Sequence, residues 1–180
     1  MNIDTLQVLD PTGEAISLGD LRESRSGIIV LVRHFGCIFC RQRLAELVAE
    51  SEPYPDDQYA VWIIGNGTAA MAQDFITSYA ITRPVYTDPS RTVYKALGMN
   101  RKFGINLKTL KQSFVAFKQG HRQSDVQGDP WQQGGVVVFD RDGVVTFSIA
   151  DNEAGSDIPW EAVWSHLPAA KLEHEDMSHA

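Results

Sequence analysis

The sequence contains little cysteine and no long apolar run. Cys37 and Cys40 are the only two cysteines in 180 residues. No apolar stretch approaches the roughly 20 residues that a membrane-spanning helix needs. The opening Met-Asn-Ile-Asp-Thr-Leu lacks the basic and apolar parts of a secretion signal, so we expect a reducing, cytoplasmic location. In such a compartment a C-x-x-C pair is redox-active or binds metal; it is not a structural cross-link.

The charge distribution disfavours nucleic acid and anionic membranes as partners. The net charge is -7, yet the segment 91–122 carries eight basic residues and no acidic one. This basic segment has two interpretations, a solvated helix face within an insertion or a docking surface for an acidic partner. No G-x-G-x-x-G or Walker loop occurs, so no nucleotide cofactor is expected.

The cysteine pair lies where an apolar strand, predicted at 28–34, gives way to an amphipathic helix, predicted from about 39 to 50. A thiol at a helix start is close to free N–H groups and to the positive end of the helix dipole, which favour the reactive thiolate. We therefore predict Cys37 as nucleophile and Cys40 as resolving thiol. The structural alternative is two small buried side chains. Zinc would need about four ligands, and the scattered histidines do not provide them, so no metal is expected.

The order of elements predicts an α/β fold with a mixed central β-sheet flanked by helices. After an N-terminal hairpin, the predicted order is β-α-β-α-β-α-(α)-β-β-α. Three strands alternate with helices, and then come a helical insertion around Leu107–Phe117, a second hairpin and a last helix after Pro159. We expect residues 1–170 to form a single domain and 171–180 a flexible acidic tail. A C-x-x-C after the first core strand of this pattern indicates a thioredoxin-like fold.

Four blocks of sequence resemble the AhpC/TSA-like branch of the thioredoxin superfamily, specifically the peroxiredoxin-like 2 group. They are Leu9–Leu21, Val32–Cys40, Tyr86–Met99 and Gln127–Gly135. The resemblance implies a thioredoxin fold, redox-active thiols and antioxidant activity. From the thiol chemistry we expect no organic cofactor, and a thioredoxin or glutathione system as the reductant.

Two positions depart from the patterns of related proteins. His34 stands where the peroxiredoxin P-x-x-x-T/S-x-x-C signature has Thr or Ser, and the segment 27–37 contains no proline. Gly135, preceded by Gly134, occupies the place of the thioredoxin cis-proline. A Gly-Gly pair permits close backbone approach to the sulfurs or the substrate.

Three further side chains are candidates for supporting roles. A cationic Arg33 or a protonated His34 would lower the pKa of Cys37, or the two would form a hydrogen-bonded pair that supports the loop. Trp131 would act as a lid or substrate platform, or else pack in the core.

The predicted function is that of a thiol oxidoreductase that reduces disulfides, peroxides or both and is regenerated by an external thiol. The alternative is a non-catalytic redox-sensing or interaction module that presents the basic segment 91–122.

Overall fold

The computed structural model of the protein describes residues 1–36, 38–55, 57–100, 129, 131–151 and 157–168, without the side chains of 38–42. Within these ranges the strands form one seven-stranded sheet in the order β2-β1-β5-β4-β3-β6-β7. The strands are β1 (Gln7–Leu9), β2 (Ala15–Ser17), β3 (Ser26–Leu31), β4 (Tyr59–Gly65), β5 (Val85–Thr87), β6 (Gly135–Phe139) and β7 (Val145–Ala150). The described helices are α1 (Leu18–Arg22), α2 (Ile38–Glu50), α3 (Ala69–Tyr79), α4 (Thr92–Ala96) and α5 (Trp160–Ser165).

The two central strands are buried along their whole length. β3 pairs with β4 in parallel and with β6 in antiparallel orientation, and β4 pairs with β5 in parallel. Because side chains alternate along a strand, Ile28 and Val30 face one core while Ile29 and Leu31 face the other. Helices α2, α3 and α5 contribute side chains to the first core, and α1 and α4 to the second. The predicted mixed sheet with helices on both faces is confirmed.

Side-chain caps mark the starts of two helices. Ser17 caps α1 by accepting a hydrogen bond from the Asp20 amide, and Thr68 caps α3 in the same way through the Met71 amide. α4 begins at Thr92. Asp88 supplies a side-chain acceptor at this helix start, since its Oδ2 accepts a 2.7 Å hydrogen bond from the Val93 amide.

The first core strand ends earlier than predicted. β3 covers Ser26–Leu31 and not 28–34, although the Val32 amide still donates to the Ile64 carbonyl at 2.9 Å. The Tyr94 hydroxyl lies 2.7 Å from the carbonyl oxygen of Val32 and 2.8 Å from that of Ile64, and so ties the ends of the two strands together. After Val32 the main chain leaves the sheet.

Several predicted features fall outside the described residues. These are Cys37, the insertion helix around Leu107–Phe117 and the tail 171–180. In the part of the chain that is described, no helix is both long and apolar enough to span a membrane.

Candidate active site

The candidate site lies at one edge of the sheet, where four chain segments meet. The carboxyl ends of the parallel strands β3, β4 and β5 share this edge. The start of β6 lies there too, because β6 runs antiparallel to β3 and pairs Gly135 with Leu31. The topology therefore brings together the thiol loop (residues 32–36, which lead to Cys37) and the Trp131 loop (residue 129 and residues 131–134).

Helix α2 begins at Ile38, the residue that follows Cys37 in the chain, so the backbone of Cys40 lies in its first turn. The first turn of a helix carries N–H groups without intrahelical partners and a partial positive charge. Cys37 itself and the side chain of Cys40 lie outside the described structure. The division of roles between the two thiols therefore stays a prediction.

His34 is buried, with 6% of its surface exposed. Its Nδ1 has no hydrogen-bond partner within the described part of the chain. The pKa of His34 is lowered from 6.5 to about 4. Burial is the main cause, the positive charge of Arg33 adds to it, and the Asp129 carboxylate opposes both effects. The imidazole is therefore neutral near pH 7. This pKa disfavours the interpretation of His34 as a protonated neighbour of Cys37, because the charged form is a minor species near pH 7.

Arg33 is half-buried and bridges the two loops. Its Nε donates to the Gln132 carbonyl at 3.3 Å, and its own carbonyl accepts a 2.7 Å hydrogen bond from the Asn66 amide group. Arg33 is more exposed than His34, and both residues lie beyond the end of β3. Arg33 thus supports the two loops through its hydrogen bonds. Its predicted effect on the pKa of Cys37 stays a prediction.

Trp131 is exposed, with 37% of its surface accessible, so the core-packing alternative is wrong for this residue. Its backbone amide donates to Asp129 Oδ1 at 2.9 Å, which fixes the start of the Trp131 loop. Gln132 and Gln133 are buried, and Gln132 Nε2 donates to the Met99 carbonyl at 2.7 Å. The loop therefore has a fixed, polar interior and an exposed aromatic side chain.

The two glycines lie in a crowded part of the sheet. A Cβ atom on Gly134 would lie 2.8 Å from Asp151 Oδ2 and 3.3 Å from Cγ of Arg33, and one on Gly135 would lie 2.6 Å from the Met99 sulfur. Among the described residues, it is strand backbone, Asp151, Arg33 and Met99 that approach the glycines closely. The predicted approach of the thiol sulfurs is not tested.

The sequence did not indicate two groups of polar residues at this edge of the sheet. Asn66, at the end of β4, bonds to both loops, and Arg91 forms an ion pair with Asp129. The available signals were a polar residue between two glycines after a buried strand, and an acidic residue within the block Gln127–Gly135. Neither signal indicates which partner a side chain will find.

The second group is the buried ion pair between Arg43 of α2 and Asp151, which directly follows β7. The nitrogen Nη1 of Arg43 lies 2.7 Å from Asp151 Oδ2, and both side chains are almost fully buried. The Asp151 amide donates to the Gly134 carbonyl at 2.9 Å. The helix that carries Cys40 is thereby tied to the start of β6.

Only the beginning of the basic segment 91–122 is described. Arg91 pairs with Asp129, and Lys95 is an exposed residue of α4. Residues 101–122 lie outside the described ranges, so the two interpretations of the segment both stand.

Comparison with known proteins identifies the family. The model of the AhpC/TSA antioxidant enzyme family matches residues 46–153, a stretch that begins after the cysteine pair. The chloroplastic thioredoxin-like protein AAED1 of Arabidopsis thaliana is 30% identical over 174 residues, covering 90% of this chain and 70% of that protein. Human peroxiredoxin-like 2C is 30% identical over 148 residues, which are 74% of this chain and 65% of the human protein.

The fold has counterparts among solved structures. The thiol peroxidase from Chromobacterium violaceum superposes with a TM-score of 0.65 over 92% of this chain and 84% of that one, at 10% sequence identity. This likeness concerns the thioredoxin-like fold alone. Taken with the family match and the relatives that are 30% identical, it completes the assignment: the chain belongs to the AhpC/TSA, peroxiredoxin-like family and has a thioredoxin-like fold.

Proposed function

We propose that the protein is a thiol-dependent oxidoreductase in which Cys37 attacks an oxidised substrate and Cys40 resolves the adduct. The observation that carries the proposal is the C-x-x-C sequence at the start of α2, directly after the thiol loop. Family membership supports a thiol-dependent redox role. Similarity to the relatives does not determine which reaction this chain catalyses, so we infer the substrate class from the chemistry of the site.

With a disulfide substrate, the Cys37 thiolate attacks one sulfur, forms a mixed disulfide and expels the other sulfur as a thiolate. The Cys40 thiolate then attacks Cys37 Sγ, releases the second substrate thiolate and leaves an internal disulfide. With a hydroperoxide, Cys37 becomes a sulfenic acid as the alcohol leaves, and attack by Cys40 expels water. In both cases an external dithiol, such as a reduced thioredoxin, donates two electrons and restores the two thiols.

Disulfide reduction is the reaction that the site favours. Peroxide reduction gains from groups that stabilise the charge developing on the peroxide oxygens, typically worth 10²-fold or more per donor. The chain lacks the proline and threonine of the peroxiredoxin signature, and the residue in the threonine position is a neutral, buried His34. Thiol–disulfide exchange needs only an accessible thiolate and a neighbouring resolving thiol.

The first prediction is that mild oxidation with diamide removes both free thiols of the native protein without producing covalent dimers. The intact mass should fall by about two hydrogens, as an internal disulfide requires, and a dithiol should reverse the change. Thiol titration and mass spectrometry measure this directly. Retention of both thiols, or bridges between chains only, would refute the mechanism.

The single-cysteine variants form a matched pair that assigns the roles. Cys40→Ser should accumulate a mixed disulfide on Cys37, whereas Cys37→Ser should trap little, because Cys37 is the attacking thiol. The reverse pattern would exchange the two roles. A wild-type protein that forms the disulfide but turns over neither a disulfide nor hydrogen peroxide would favour the redox-sensing alternative.

A further inference from the structure

The side chain of Asn66 connects the two loops of the candidate site. It lies directly after β4 and is 5% exposed. Both the nitrogen and the oxygen of its amide form hydrogen bonds. Its Nδ2 donates to the Arg33 carbonyl at 2.7 Å and to the Asp129 carbonyl at 3.3 Å, while its Oδ1 accepts a 2.9 Å hydrogen bond from the Asp129 amide. One buried side chain therefore holds the main chain of both loops.

Each of the two bonded segments leads to a group of the site. The Arg33 carbonyl belongs to the thiol loop, which reaches Cys37 four residues later. Asp129 begins the Trp131 loop, since its carboxylate accepts a hydrogen bond from the Trp131 amide and pairs with Arg91. A displacement of Asn66 would therefore change the separation between the thiol loop and the exposed Trp131.

The hydrogen-bonding groups around position 66 restrict which side chain can connect the two loops. Two carbonyl oxygens and one amide N–H converge on Asn66, and only a primary amide offers both donors and an acceptor at this reach. Alanine would leave the Asp129 amide and the Arg33 carbonyl without this partner. Buried backbone groups that lose a partner cost about 1–3 kcal/mol each, so the loops are expected to shift toward other partners or water.

We propose that Asn66 is a positioning residue that sets the distance between the thiol loop and the Trp131 loop, and thereby governs reaction with disulfides carried by peptides. The proposal rests on the proposed function. A peptide disulfide extends beyond its sulfurs and contacts both loops, with Trp131 as an apolar platform. A small alkylating reagent contacts the sulfur only, so its reaction does not depend on the separation of the loops.

The test compares Asn66→Ala with Asn100→Ala, which makes the same change at an exposed asparagine. The probes are insulin, a peptide disulfide reduced at the expense of dithiothreitol, and iodoacetamide. For Asn66→Ala we expect KM for insulin to rise by about tenfold, a factor equivalent to about 1.4 kcal/mol. We expect kcat and the rate constant for alkylation to stay within about twofold of wild type, as loss of substrate positioning predicts. Asn100→Ala should match wild type in all three quantities.

Equal losses toward insulin and iodoacetamide would overturn the proposal, since they would show an effect on the thiol itself. Unchanged insulin kinetics would overturn it as well. If Asn66→Ala does not fold, Asn66→Ser, which retains one hydrogen-bonding group, is judged by the same criteria.

Amide hydrogen exchange separates failure of this proposal from failure of the proposed function. In Asn66→Ala the amides of Asp129 and Trp131 should exchange faster than in wild type, because the anchor of the Trp131 loop is lost. This measurement needs no turnover. If wild-type protein reduces neither insulin nor hydrogen peroxide, the proposed function fails. If it reduces hydrogen peroxide but not insulin, only the present proposal fails. Unchanged exchange at both amides would overturn the positioning role whatever the activity.

Discussion

Protonation of His34 is expected to destabilise the folded protein at mildly acidic pH. The pKa of this imidazole is about 4 in the fold, mainly because the side chain is buried, against 6.5 for an exposed histidine. The unfolded chain therefore binds a proton at a higher pH than the folded chain does. The contribution of the neutral ring to stability is complete above about pH 6.5 and is lost as the pH falls toward 4.

The magnitude follows from the two pKa values. Between pH 7.5 and pH 5, the linkage relation gives a loss of about 2 kcal/mol in the free energy of unfolding from His34 alone. Most carboxylates keep their charge at pH 5, so this interval isolates the histidine better than a titration to lower pH. A loss of this size is a large part of the 5–15 kcal/mol typical of a single domain.

Urea denaturation of the reduced protein at several pH values measures the effect. His34→Gln replaces the imidazole with a neutral amide, so its stability should fall by about 2 kcal/mol less than that of wild type over the same interval. His166→Gln is the matched control, because His166 is exposed at the end of α5, and it should retain the pH dependence of wild type. Parallel curves for wild type and His34→Gln would refute the reasoning, whatever the stability of the variant at neutral pH.

Two further substitutions test the packing behind the site. Asp151→Ala leaves the buried Arg43 guanidinium without its carboxylate and should cost about 3–5 kcal/mol. The double variant Arg43→Met/Asp151→Ala should recover part of that loss in urea denaturation, and additive losses would contradict the pairing. Gly134→Ala places a methyl group 2.5 Å from the Leu31 carbonyl oxygen, so a loss of about 1–3 kcal/mol is expected. An unchanged melting temperature would show that the β3–β6 junction has room for a side chain.

The elements that the sequence predicts best are those with strong local signals. The limits of β4 can be deduced from the sequence, because Tyr59–Gly65 is a continuous apolar run that ends at Gly65-Asn66-Gly67. The capping role of Thr68 follows from the same kind of local pattern. β3 was misplaced at both ends for physical reasons. Gly27 has no side chain to mark the strand and lies against Ala60 and Phe139, while Val32 stays buried although the main chain has already turned away from the strand.

The sequence indicated individual residues of the site but not the contacts between them. Family motifs pointed to Arg33, His34, Trp131 and the two glycines, and the topology brings these residues to one edge of the sheet. The ion pair between Arg43 and Asp151 joins residues 108 positions apart, which no local pattern can pair. The pKa of His34 could not be predicted from the sequence for a related reason, since it depends on burial by segments distant in sequence.

Because His34 is neutral, it contributes no positive charge to stabilise the thiolate of the predicted nucleophile, Cys37. Arg43 and Arg91 each pair with a carboxylate, which offsets their charge. Among the residues that the structure describes, Arg33 and the N-terminus of α2 are two further positive groups near the thiol loop. A helix terminus contributes typically about 0.3–1 kcal/mol, less than the ~1.4 kcal/mol that corresponds to a tenfold change in the ratio of thiolate to thiol. A thiol activated by these two groups alone would be only modestly acidic. That would suit disulfide exchange, in which the best attacking thiol has a pKa near the ambient pH, because a strongly acidic thiol is a weaker nucleophile. The charges of the described residues and the absence of the peroxiredoxin signature thus both favour disulfides over peroxides as substrates.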